Sequence, residues 1–233
     1  MAPVPPSLLL FARTPEVGRV KTRLTPAIGA AGAVLLYRAF LEDAARTYGF
    51  PAPWSPVLWA DPDPGDPGLA ALFAPPWRSR AQPEGDLGAR LAAAFREEFA
   101  RGAPAAVAVG SDHPALPRHR IEEVFERLDS GLEAALIPAE DGGYCAIGLR
   151  AGTPVEEVFR EIPWSSSEVL AATLERLADI GSRCELLPGS YDVDRPEDLA
   201  RLRADVAARD PSEPDYPSAT AVALAALGRR GAP

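Results

Sequence analysis

Lysine is almost missing from this chain of 233 residues: Lys21 stands alone among 24 basic residues, the rest being arginine. Histidine and cysteine are scarce as well, with two of each. Cys145 and Cys184 give neither a disulfide framework nor a zinc spacing. His113 and His119 miss the i, i+4 step of a helical ligand pair, and nothing resembles a Ser/His/Asp triad. Residues 1–12 lack a basic segment, and the apolar run Leu8–Phe11 is too short for a signal-peptide core. No stretch reads as a membrane span. The net charge is −9 and no face forms a basic stripe, which argues against a nucleic-acid partner. The expectation is a cytoplasmic protein with neither membrane nor nucleic-acid partner.

What is present is ordinary for a globular chain: 47% hydrophobic and 24% charged residues, enough for one sizeable domain. The 26 prolines are roughly twice the usual share, which suits a thermophile or a GC-rich genome equally. Against the acidic background, residues 13–23 are cationic, with Arg13, Arg19, Lys21 and Arg23 around Gly18. A Gly-containing cationic loop after a first strand is a common phosphate cradle. Where arginine has replaced lysine everywhere else, a retained lysine points to a place that needs a compact ammonium. The alternative is a chance survivor on a solvated loop; the clustering of charge favours an anion site.

Strand and helix patterns alternate. Ser7–Phe11, Pro56–Ala60, Ala105–Val109, Leu132–Pro138, Tyr144–Leu149 and Arg183–Leu187 read as strands. Helices are expected over Ala31–Tyr48, with Val34, Leu35, Phe40 and Leu41 inward, and over Asp86–Ala100 and Pro117–Leu128. Two more open on capping-box patterns: Ser165–Ile180 from Ser165 and Glu168, and Asp194–Val206 from Asp194 and Glu197. The carboxylates of 61–68 are read as turn formers. This order predicts a single-domain α/β fold, a mostly parallel twisted sheet with helices on both faces, over residues 1–209. Residues 210–218 read as a Pro-rich linker and Ala219–Leu227 as a short terminal helix.

Ligands of such sheets bind beyond the carboxyl ends of the strands. Asp112, in Gly110-Ser111-Asp112-His113-Pro114, follows a strand and is placed to hold a Mg²⁺ that bridges diphosphate oxygens, or to form an Asx turn before Pro114. Glu140-Asp141-Gly142-Gly143-Tyr144 is either a close backbone approach to a ligand or a hairpin turn. Asp192 and Asp194 share one face if extended, although the pattern makes Asp194 a helix cap. The first loop is neither a P-loop nor a GxGxxG fingerprint, which disfavours a kinase or a dehydrogenase.

In order along residues 7–206, six segments resemble the DUF2064 family of glycosyltransferase-A-like proteins, some assigned to arsenosugar biosynthesis. They are Phe11–Leu24, Gly85–Arg90, Gly110–Pro114, Glu140–Tyr144, Ile162–Ser165 and Asp192–Leu199. The resemblance implies the nucleotide-diphospho-sugar transferase fold and kinship with the molybdenum-cofactor and phospholactate guanylyltransferases. By that likeness Arg13, Gly18, Lys21, Thr22 and Arg23 hold nucleotide phosphates, and Asp86, Gly88 and Arg90 line a nucleoside pocket. Asp112 holds the metal, with Asp192 or Asp194 as a second carboxylate. Asp141, Gly142, Gly143, Tyr144, Trp164 and Ser165 face the acceptor or sugar. Arg13 stands where the family more often has lysine, and Cys145 where a second aromatic is usual.

The reading that follows is a glycosyltransferase that uses a small-molecule nucleotide-sugar donor, Mg²⁺ or Mn²⁺ and a small acceptor. Lys21 and Arg23 then share the leaving group's charge, and Asp141 positions or deprotonates the acceptor hydroxyl. A nucleotidyltransferase that consumes an NTP needs nearly the same residues. A non-catalytic nucleotide-binding module is the third reading.

Overall fold

The computed structural model describes residues 3–49 and 51–230. Seven strands form one sheet: β1 (Ser7–Arg13), β2 (Ser55–Asp61), β3 (Arg78–Ala81), β4 (Ala105–Gly110), β5 (Ala134–Pro138), β6 (Tyr144–Arg150) and β7 (Cys184–Leu186). Their order is β3-β2-β1-β4-β6-β5-β7. Only β6 runs against its neighbours, so the sheet is mostly parallel. The tight turn at 140–143 joins β5 to β6 as an antiparallel hairpin, which needs no crossover.

Side chains alternate across a strand, so each face of the sheet has its own core. Leu8, Leu10, Leu58, Val107 and Ile137 pack under α1 (Thr25–Tyr48), α4 (Arg118–Asp129), α7 (Pro196–Ala208) and α8 (Ser218–Arg230). Leu9, Val57, Ala108, Leu136 and Ile147 pack under α3 (Leu87–Ala100), the short α5 (Val155–Val158) and α6 (Val169–Asp179). The expected two-faced α/β architecture is therefore present.

The elements differ from expectation where the pattern was polar or misleading. The six-residue α2 (Pro67–Leu72), capped by Asp66, and the edge strand β3, Arg-Ser-Arg-Ala, carry no apolar alternation. In α1 the buried side is Ala33, Leu36, Tyr37, Phe40 and Leu41, while Leu35 faces out. The stretch Thr22–Tyr48 is long and apolar enough to cross a membrane by length and composition, contrary to expectation; its apolar residues pack on the sheet instead. Neither expected capping box forms as read. Ser165 has a left-handed backbone, and α6 starts at Val169. At α7 the Asp198 carboxylate accepts from the N–H groups of Asp194 and Arg195, which leaves the Asp194 side chain free to point elsewhere.

The chain after residue 209 is tied down. Asp215 accepts from the Arg118 N–H at 2.8 Å and pairs with Arg209 at 2.6 Å. Buried Asp43 of α1 accepts from the N–H groups of Ala219 and Thr220, capping α8, whose Leu224 and Leu227 join the α1-side core.

A cleft at the carboxyl ends of the strands

The carboxyl ends of β1 and β4, with the loops after them, floor a cleft of about 810 Å³. Its first wall is the 14–24 loop. Thr14 is buried and donates its N–H to Asp61 O at 2.9 Å, so the loop leaves the sheet anchored. Val20 and Leu24 insert into the core and bracket Lys21. Lys21 has a left-handed backbone, φ 48° and ψ 39°, a conformation that costs a non-glycine residue roughly 1–2 kcal/mol. The turn aims its side chain inward, where it is only 3% exposed.

The Lys21 ammonium lies 2.6 Å from Asp112 Oδ1 and 3.8 Å from Asp194 Oδ1. Arg23, largely exposed, holds the other Asp194 oxygen at 2.6 Å. Local structure explains why these carboxylates meet. Ser111 N–H bonds Phe11 O, which fixes the β4 loop beside β1, and Val193 N–H bonds Asp112 O at 3.0 Å. Val193 is fully buried, so Asp192 and Asp194 on either side of it turn to the cleft, as their alternation predicted. Asp194 is thus a cleft carboxylate rather than the helix cap its pattern suggested.

Charge balance follows from this packing. Desolvation tends to raise the Asp112 carboxyl, but the adjacent Lys21 ammonium, together with His113 and Arg13, holds the group below the usual carboxylate value. The carboxylate still reaches solvent through the cleft, being 45% exposed. Asp192 is pushed up, first by burial and then by the nearby Asp141 carboxylate. Burial holds His113 down, and its Nδ1 lies 3.1 Å from Tyr191 O. The exposed His119 sits on α4.

Tyr37 of α1, overlooked in the sequence, ties the two loops together. Its hydroxyl accepts from the Arg13 N–H at 2.9 Å and bonds Ser111 Oγ at 2.9 Å. Burial, then the Asp112 charge, raises this phenol well above its ordinary value. Gln82 was overlooked too. Its amide donates to Ala12 O and Trp59 O at the ends of β1 and β2. Arg90 reaches Gln82 Oε1 at 3.1 Å and Asp61 at 3.0 Å. Only an internal polar residue in the unremarkable Ala81-Gln82-Pro83 signalled Gln82.

Of the expected site residues, Arg13, Lys21, Thr22, Arg23, Asp86, Arg90, Asp112, Trp164, Ser165, Asp192 and Asp194 line this cleft. Others do not. Gly18, with φ 78°, shapes the loop behind the lining. Gly88 is a packing position, because a Cβ there would lie 2.9 Å from Trp164 Nε1 and from Phe159 O. Asp86 caps α3 through the Ala89 N–H at 2.8 Å while also lining the cleft. Asp141 is exposed and accepts from the Gly143 N–H at 2.9 Å, the turn-forming alternative. Gly142, φ 90°, abuts the Ser167 carbonyl and bonds Leu170 N–H, locking the hairpin to the start of α6. The Tyr144 ring packs against the α3-side core and is not part of the cleft lining.

The cleft is lined by charges of both signs. Its cations, Arg13, Arg19, Lys21, Arg23 and Arg90, come from the end of β1, the first loop and α3; Lys21 and Arg23 pair with Asp112 and Asp194, while Asp192 lines the cleft without an ion pair among the described residues. Two carboxylates facing one ammonium are hard oxygen donors of the kind that hold Mg²⁺ or Mn²⁺ together with substrate phosphates. Among the described residues no three metal-ligating side chains cluster, so phosphate oxygens would complete such a shell.

The sheet order, the cation-lined cleft at the strand ends and the solved structures it matches define an α/β protein of the nucleotide-diphospho-sugar transferase fold. The family model described as "Uncharacterized protein conserved in bacteria (DUF2064)" matches residues 46–166, and the chain belongs to that family. The chain is 30% identical to a provisionally assigned nucleotide-diphospho-sugar transferase from Desulfovibrio desulfuricans, with 96% of each chain covered and a TM-score of 0.85. A cytidylyltransferase from Leptospira borgpetersenii shares the fold at 11% identity and a TM-score of 0.59, covering 97% of this chain and 94% of that one. So does a 4-diphosphocytidyl-2C-methyl-D-erythritol synthase, at 14% identity and a TM-score of 0.56, covering 87% and 98%. No curated protein matches the sequence.

Proposed function

We propose that the protein is a cytoplasmic glycosyltransferase that moves a sugar from a nucleotide diphosphate to a small hydroxylated acceptor. The observation that carries this reading is the charge arrangement of the cleft: Asp112 and Asp194 are held by Lys21 and Arg23, whereas Asp192 has no ion pair among the described residues. The cations suit a donor diphosphate. Arg13 and Arg23 bind and orient it, and Gln82 and Arg90 fix the wall beside them. Asp112 and Asp194 hold a divalent ion, which supplies charge neutralisation on the leaving diphosphate. Asp192, rather than the turn-bound Asp141, accepts the proton as the acceptor oxygen bonds the anomeric carbon and the sugar–diphosphate bond breaks.

Nucleotidyl transfer is the second reading, favoured by the fold shared with cytidylyltransferases. It asks for an acceptor phosphate beside Asp192, a carboxylate with no ion pair among the described residues, which repels one. A thermal-shift panel of UDP-, GDP-, ADP- and dTDP-sugars against the four NTPs, with and without Mg²⁺ or Mn²⁺, tests the choice. A metal-dependent rise with one nucleotide sugar supports glycosyl transfer; a rise with an NTP alone supports nucleotidyl transfer.

A further inference from the structure

We infer that Lys21 is a built-in stand-in for the divalent cation, so that metal enters this site only with a nucleotide. The inference rests on the metal-assisted transfer reading above, but its geometry is independent of it. The Lys21 ammonium occupies the point on which Asp112 and Asp194 converge, at 2.6 and 3.8 Å, with its side chain 3% exposed. Two carboxylates this close repel unless a cation lies between them. A divalent ion alone must therefore displace an ammonium already paired with its ligands, and must leave that ammonium buried without a partner.

An incoming diphosphate changes the balance. Its oxygens give the ammonium a new partner, and they also complete the coordination of the ion that takes its place. Metal and nucleotide then help each other bind, and the coupling is reciprocal. The local structure fits this exchange. Val20 and Leu24 anchor the backbone on both sides, and the left-handed turn at Lys21 aims a long, flexible side chain at the carboxylates. A lysine ammonium is a compact point charge on a flexible stem, as a stand-in for a metal ion must be, whereas a guanidinium is a planar fork that grips carboxylates bidentately. This accounts for the one lysine kept in a chain that uses arginine at 23 other places.

The test is Mn²⁺ binding followed by electron paramagnetic resonance, for the wild type and Lys21→Met, alone and with UDP, GDP or ADP. The wild type is expected to bind Mn²⁺ weakly alone and roughly tenfold or more tightly with a nucleoside diphosphate. Lys21→Met is expected to bind Mn²⁺ alone roughly tenfold more tightly than the wild type, with most of the coupling gone. Equal Mn²⁺ affinity of the two proteins without nucleotide overturns the inference. Should the variant fail to fold, the wild type alone decides, because selective ¹³C labelling of lysine gives a single side-chain signal. That signal is expected to stay in place with Mg²⁺ alone and to move with Mg²⁺ plus a nucleoside diphosphate; movement with Mg²⁺ alone overturns the inference. A wild type that binds no nucleotide refutes the transfer reading, while the Mn²⁺ comparison still decides this one.

Discussion

Replacing Tyr37 with phenylalanine removes one oxygen and keeps the ring in its core position. That oxygen accepts from the Arg13 N–H and bonds Ser111 Oγ, each at 2.9 Å, at a side chain that is almost fully buried. The Ser111 hydroxyl can rotate toward another acceptor; the Arg13 N–H cannot. One donor left without a partner costs about 1–3 kcal/mol. For a chain of this size each kcal/mol lowers the melting temperature by about 2–4 °C, so Tyr37→Phe is expected to melt roughly 2–12 °C lower. The two segments it joins carry Arg13 and Asp112, which both line the cleft, so nucleotide affinity should fall as well. Differential scanning fluorimetry and a nucleotide titration read both effects. A variant that melts with the wild type and binds nucleotide equally well would refute the linkage between the loops.

Other perturbations follow from single contacts. Glu98 is buried and accepts two hydrogen bonds from Arg78 and one from Ser7, so Arg78→Ala should cost about 3 kcal/mol in urea denaturation, the low end for a broken buried pair, since Arg101 remains 3.9 Å away. Burial tends to raise Glu98, but Arg78 and Ser7 prevail and lower it; its contribution is therefore complete above about pH 4.5, the unfolded value, and is lost as pH falls through the lower folded value. Acid unfolding should show a smaller loss of this kind in Arg78→Ala than in the wild type. At Gly142 an added Cβ would lie 2.2 Å from Ser167 O on a backbone with φ 90°, so Gly142→Ala should detach the hairpin from the start of α6. Its expected signature in steady-state kinetics is weaker acceptor use with donor binding little changed.

Much of the fold was legible because burial imposes period. The apolar runs of β1, β2 and β4, and the four-residue steps Leu87, Leu91, Phe95 and Phe99, mark elements close to their observed bounds. β3 was illegible because an edge strand stabilised by Arg78–Glu98 and Arg80–Glu97 pairs needs no apolar alternation. Capping patterns misled at Ser165 and Asp194 because several nearby carboxylates and hydroxyls compete for the same N–H groups. At α7 Asp198 won that competition and released Asp194 to Lys21 and Arg23. The cationic loop was legible from charge alone. Its inward-turned lysine and the tyrosine beneath it were not, since a left-handed turn and a contact 24 residues away leave no local pattern.

Product analysis tests the central claim most directly. The purified protein is incubated with Mg²⁺ or Mn²⁺, the nucleotide that stabilises it most and a panel of small polyols, and the phosphorus-containing products are resolved by ³¹P NMR. Glycosyl transfer predicts that a nucleotide sugar is consumed and a nucleoside diphosphate released only when acceptor is present, with Asp112→Asn inactive. Release of pyrophosphate from an NTP, or full turnover in Asp112→Asn, would contradict it.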